Sequence, residues 1–182
     1  NEGDVYCGLG ENTRNSARGI QAAGIVGFIN GNEAVSADVR DCVNTGKVRS
    51  ESGRAAGISG FASYCDFEGN ENLGSVEGGG VLLGGIVAAF DNGSVKGCTN
   101  RGDVFAGAKG QAGGIAATTW NGGNARIEAC RNDGVIKGMF GLVGSILGEG
   151  RTDSDRVEGC GVGGGVGTAV QNRDAAPKAG PE

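Results

Sequence analysis

The chain has 182 residues, 40 of them glycine and two proline, with no histidine and a formal net charge of −5. Without histidine there is no Ser-His or Cys-His nucleophile pair, no histidine acid–base catalysis and no histidine-containing zinc site. A mildly acidic chain with scattered Lys and Arg suits neither nucleic acid nor an anionic membrane surface, and no apolar run approaches the roughly 20 residues of a membrane-spanning helix.

Glycine stands at about three times its ordinary share of roughly 7%. Collagen is excluded, because the glycines follow no three-residue period. Disorder is excluded because Val, Ile, Leu and Phe return at fixed offsets from the glycines. The chain opens on Asn1 rather than Met, which leads us to expect a processed product or a segment of a longer, exported protein. Residues 1–18 fit the following pattern poorly and are expected to form a partial turn or cap.

From residue 19 to residue 170 the sequence repeats. Gly-Ile pairs end at Ile25, Ile58, Ile86 and Ile115, with Val143 as a degenerate fifth member. The gaps are 33, 28, 29 and 28 residues, by subtraction of those numbers. Behind that anchor runs a first column of Val39, Phe67, Val95, Ile127 and Val157. Three residues later comes Cys42, Asn70, Cys98, Cys130 and Cys160, then Asn44, Asn72, Asn100 and Asn132, with Val162 breaking the series. A glycine column leads into the last apolar one, Val48, Val76, Val104, Ile136 and Val166.

Units this short cannot be globular on their own, and none carries a 3.6-residue apolar stripe. β-branched residues dominate the apolar columns, as strands prefer. The pattern predicts an all-β parallel β-solenoid, right-handed and three-sided, of five to six turns of about 28–33 residues. Three strands per turn are expected, in the third unit near 85–89, 94–98 and 103–106. Side chains of one column would stack rung on rung, and the asparagines would hydrogen-bond their amides up the stack while adopting left-handed corners.

Four insertions lengthen the turns, at 30–38, 63–71, 118–124 and 149–156. An aromatic series of Phe28, Phe61, Phe90 and Trp120, closed by Ile146, follows the strand starts. Stacked aromatics beside the core are the expected reading, with a sugar platform as the functional one. The cysteines of the Cys42, Cys98, Cys130 and Cys160 column are expected as buried thiols. The alternative is disulfides between adjacent turns, joining Cys98 to Cys130 or Cys130 to Cys160. Cys65 sits in an insertion and is expected to be the exposed thiol. Oxygen-rich runs at Asp66, Glu68, Asn70 and Glu71, and at Asp153 and Asp155, would suit Ca²⁺. Solvated loop charge is the expected reading there, and no cofactor is expected. The tail, 171–182, holds both prolines and reads as a linker.

The Gly-Ile starts with Cys-x-Asn-x-Gly-x-Val corners resemble the GLUG-type repeats of bacterial surface proteins. The eponymous Gly-Leu-x-Gly stands here as Gly141-Leu142-Val143-Gly144, with related forms at 23–27 and 56–60. The resemblance implies an extracellular or cell-surface location beside other domains of a longer protein, such as an immunoglobulin A peptidase or an adhesin. It implies no catalysis, since no HExxH is present. The expected function is a non-catalytic stalk or adhesive module. The alternatives are a fibre subunit stacking end to end on itself, and an accessory domain gripping a host glycan or protein. Trp120, Tyr64, Asp66 and Glu68 are the candidate interaction residues.

Overall fold

The computed structural model describes residues 1–8, 20–79, 82–107, 110–120, 124–139, 142–150 and 155–167. The predicted segments 9–18 and 171–182 lie outside them. Among the described residues the chain is all-β, wound as a parallel β-solenoid in which each turn adds one strand to each of five sheets. Sheet I stacks Val5–Cys7, Val48–Ser50, Val76–Gly78, Val104–Ala106, Ile136–Gly138 and Val166–Gly167. Sheet II stacks Gln21–Ala23, Arg54–Ala56, Leu82–Gly84, Gln111–Gly113 and Val143–Gly144. Sheet III stacks Val26–Asn30, Ser59–Ser63, Val87–Asp91, Ala116–Thr119 and Leu147–Glu149. Sheet IV stacks Ala37–Arg40, Cys65–Glu68, Gly93–Lys96, Ala125–Glu128 and Arg156–Glu158. Sheet V stacks the two-residue strands Val43–Asn44, Glu71–Asn72, Thr99–Asn100, Arg131–Asn132 and Gly161–Val162. About four full turns separate the first and last strands of a five-stranded sheet.

The expected three strands per turn are thus five. Gly-Ile is not a strand start but the corner between sheets II and III. A second corner, just before the cysteine column, divides sheet IV from sheet V. At that corner Asp41, Gly69, Gly97, Ala129 and Gly159 all take left-handed backbone, with φ of 52°, 64°, 59°, 50° and 62°. The asparagines expected at left-handed corners lie three residues further on, inside sheet V. The 63–71 insertion is likewise corrected, since Cys65–Glu68 is a regular strand in register with Gly93–Lys96.

Inward columns stack as equivalents. Val48, Val76, Val104 and Ile136 are fully buried one above another, with Val5 below and Val166 paired by backbone above. Phe67, Val95 and Ile127 do the same in sheet IV. Ile58, Ile86 and Ile115 are 0% exposed, and their amides bond rung to rung at 3.0, 3.0 and 2.9 Å, the last onto Ile146. Ile146 therefore takes the place expected of Val143. Val143 is buried instead in sheet II, above Ala112. Ile25 lies at the end of the isoleucine column among the described residues and is 39% exposed.

The asparagines form an unbroken amide ladder. Nδ2 of Asn1, Asn44, Asn72 and Asn100 donates to Oδ1 of the asparagine one rung up, at 2.9, 2.9, 2.8 and 2.7 Å. The second hydrogen of each amide closes a turn within its own rung, onto the carbonyls of Gly3, Gly46, Gly74 and Gly102. Asn44, Asn72, Asn100 and Asn132 are 0% exposed, so the bonds among them form out of water, where an unmade one is costly. The glycine before each isoleucine lies against these amides. A Cβ on Gly85 would stand 2.3 Å from the Asn100 amide carbon and 2.0 Å from the Gly114 carbonyl oxygen. The glycine two residues after each asparagine is equally tight: a Cβ on Gly102 would stand 1.9 Å from the Gly74 carbonyl oxygen.

Two stability outcomes follow. Asn100→Ala strands a donor on Asn72 and an acceptor on Asn132, and should cost roughly 2–6 kcal/mol in a denaturant melt. Val162→Asn, at a 47% exposed position where the ladder stops, should instead add about 1 kcal/mol. If the two variants melt alike, the amides are not a cooperative ladder. At the left-handed corner, Ala129 carries a conformation that costs an L-residue about 1–2 kcal/mol. Ala129→Gly should therefore raise the melting temperature by roughly 2–4 °C, against the usual effect of added glycine.

Candidate functional site

Alternation along sheet II sends Ala55 and Leu83 into the interior and Arg54, Ala56 and Leu82 to the opposite face. On sheet III, Ala62 and Phe90 face inward while Phe61 and Ala89 face out. The outward faces meet at the Gly-Ile corner over a separate apolar cluster of Ala56, Leu82, Ala88, Ala89 and Ala117, with Phe61 and Trp120 packed against it. Arg54 lies between the two rings. Its guanidinium carbon stands 4.7 Å from the Phe61 centroid and 4.8 Å from that of Trp120, and the residue is only 2% exposed. The two ring faces supply the negative quadrupole that favours a desolvated cation there. One rung below, Phe28 stacks on Phe61 with centroids 5.4 Å apart and planes inclined by 18°. Phe28 is 55% exposed. The corner thus carries an aromatic strip, buried at Arg54 and open at Phe28.

The aromatic series expected from the sequence is split by this arrangement. Phe28 pairs with Phe61, but the next rungs offer Ala89 and Thr118 in that column, while Phe90 points into the core. Trp120 is not an open platform, since it covers Arg54.

Tyr64, Asp66 and Glu68 lie away from this corner, at the start and on the outer face of sheet IV. Tyr64, left-handed at φ 49°, donates its hydroxyl to Glu33 Oε1 at 3.3 Å. Asp66 Oδ1 accepts from the amide and hydroxyl of Ser94 at 3.0 and 2.6 Å. Glu68 pairs with Arg40 at 3.2 Å, and Arg40 also meets Asp38 at 3.3 Å. Asn70 turns inward, receiving the Cys42 amide and donating to the Val39 carbonyl, and Glu71 pairs with Arg101. The oxygens weighed above as Ca²⁺ ligands point to different partners. Of the second run, Asp155 is 8% exposed and accepts from Thr119 Oγ1 at 2.5 Å, whereas Asp153 lies outside the described residues.

Further along sheet IV, Arg126 stacks on Arg156 and Glu128 on Glu158. With Asn124 they line a depression of about 310 Å³. Like charges directly opposite each other oppose pairing by roughly 0.2–1 kcal/mol.

All six cysteines are free thiols. Cys98 and Cys130 are buried, and Cys42 and Cys160 half-buried, on consecutive rungs interrupted by Asn70. The exposed thiol expected at Cys65 is overturned. Cys65 is 1% exposed, and burial, with Asp66 and Asp38 nearby, pushes its thiol up to about 12.

No protein-family model, curated protein or solved structure matches the chain. The residue that sequence reasoning missed is Arg54. Its signal is weak but present: an arginine inside a strand column otherwise filled by Gln21, Leu82 and Gln111. Because Trp120 is the single tryptophan, its emission reports this corner alone. Arg54→Met should shift that emission and lower stability by roughly 1–2 kcal/mol per lost ring contact. Phe28→Ala, at the open end, should leave the emission unchanged and cost only about 0.5–1.5 kcal/mol, the worth of its stack on Phe61.

Proposed function

We propose that the chain is a non-catalytic, rod-forming module of an exported bacterial surface protein, serving as a stalk or adhesive segment. The observation that carries this reading is the amide ladder, which runs through four consecutive rung contacts from Asn1 to Asn132. It makes neighbouring rungs mutually dependent along the axis, as a spacer requires. Sheet IV and sheet V support the reading too, because their outward carboxylates at Asp66, Glu68, Glu71 and Asp133 are each taken up by a hydroxyl or guanidinium. The GLUG-type resemblance adds location and the expectation of neighbouring domains.

A second reading is favoured by the Phe28–Phe61 stack, which presents an apolar ring face to solvent. Such a face accepts the C–H side of a pyranose ring. In this reading the module grips a glycan at the sheet II–III corner, through Phe28 rather than through Trp120. A glycan array should show binding by the parent protein and loss of at least tenfold in Phe28→Ala, with the variant still folded and melting cooperatively. Binding that survives Phe28→Ala excludes the corner, and turnover of any arrayed polysaccharide excludes the non-catalytic reading itself.

A further inference from the structure

The cysteine column ends in three thiols on successive rungs, Cys98, Cys130 and Cys160, with register set by the neighbouring pairs Thr99–Arg131 and Arg131–Gly161. Adjacent parallel strands stand about 4.8 Å apart, within the roughly 4.4–6.8 Å between α-carbons that a disulfide spans. Cys130 is buried and donates toward the Val95 and Glu128 carbonyls at 3.2 and 3.4 Å. Cys160, on the last rung, is half-buried and bonds the Glu158 carbonyl at 3.4 Å. One sulfur is therefore open to solvent, and the next stands directly beneath it.

We propose that Cys160 and Cys130 form a peroxide-sensitive pair: a hydroperoxide oxidises Cys160, and Cys130 then closes a disulfide that staples the last rung to the one before it. In the first step the Cys160 thiolate attacks the distal peroxide oxygen. The O–O bond breaks, sulfur gives up two electrons to become a sulfenic acid, and hydroxide leaves to be protonated. In the second step the Cys130 sulfur attacks that sulfenic sulfur, its proton leaves with the hydroxyl as water, and the S–S bond forms. Two thiols and one hydrogen peroxide thus yield one disulfide and two waters.

The column offers a competing pair, Cys98 with Cys130. Cys130 has a sulfur on either side, and its single proton, which can leave the Val95 and Glu128 carbonyls for one sulfur at a time, favours the anion at the neighbour to which it turns. Cys98 is 0% exposed, so a peroxide cannot reach it and an anion there is poorly solvated. At Cys160 the same hydrogen bond, opposed by only partial burial, holds the thiol down at about 7 against an ordinary 9.0. Contact with both neighbours and burial push Cys130 the other way, so that of the two thiols Cys160 is the one that carries the anion in the first step.

The test is treatment of the folded chain with stoichiometric hydrogen peroxide, followed by thiol counting in denaturant and tryptic mapping. Arg126, Arg131 and Arg156 place Cys98, Cys130 and Cys160 in separate peptides. The expected result is loss of two of the six thiols, one crosslinked peptide pair joining Cys130 to Cys160, and recovery on reduction. Cys160→Ser should lose no thiol pair, while Cys98→Ser should still lose two. A Cys98–Cys130 crosslink overturns the assignment, as does oxidation of Cys160 to sulfinic acid without a crosslink. So does a pair still lost in Cys160→Ser. The wild-type map decides the question even if a serine variant fails to fold.

Discussion

The constraint on which this structure depends is the distance between rungs. Parallel strands repeat at about 4.8 Å, and a column of identical groups can satisfy itself only if each group bonds at that spacing. A primary amide does so, offering a donor upward and an acceptor downward. Asn44, Asn72, Asn100 and Asn132 use that property in full burial, while the second hydrogen of each amide ties the following glycine carbonyl within the rung. The ladder then dictates its surroundings. Close approach of the Gly-Ile corner to the amides leaves no room for a Cβ, and the glycine after each asparagine lies directly over the carbonyl of its predecessor. The glycines of these two columns are thus a consequence of how near the amides draw the backbone.

The apolar columns work differently. They are not directional, and they tolerate exchange of Phe67 for Val95 or Ile127, and of Val48 for Ile136. Their burial supplies the bulk of the free energy, at roughly 1.5–3 kcal/mol per large side chain. The amides supply register, because a one-residue slip would set a buried amide opposite a residue such as Thr99 or Arg101 that cannot continue the ladder. Division of labour of this kind explains why the asparagine column is nearly invariant within the chain while the apolar columns vary in size.

Variation between rungs sits on the outward faces, where no column needs to repeat. Sheet IV shows this most clearly, running from acidic at Asp38 and Asp66 to basic at Arg126 and Arg156 along one column. The corner between sheets II and III departs from repetition further, gathering Phe28, Phe61, Arg54 and Trp120 from three different rungs into one stack.

The periodic spacing of Ile58, Ile86 and Ile115, and of the valines and asparagines, was enough to define the fold class, the stacking and the amide ladder. Each is a property of one column read against itself. What the linear order does not hold is which columns lie side by side. The meeting of Arg54 with Phe61 and Trp120, the burial of Cys65, the replacement of Val143 by Ile146 and the five-strand turn all depend on corner angles and on small length differences between turns. A shift of three residues near the end of the chain moves Val143 to another sheet without disturbing its hydrophobicity, so composition is silent about it. Backbone geometry at Asp41, Ala129 and their glycine counterparts sets where the chain bends, and the bends decide which outward side chains become neighbours.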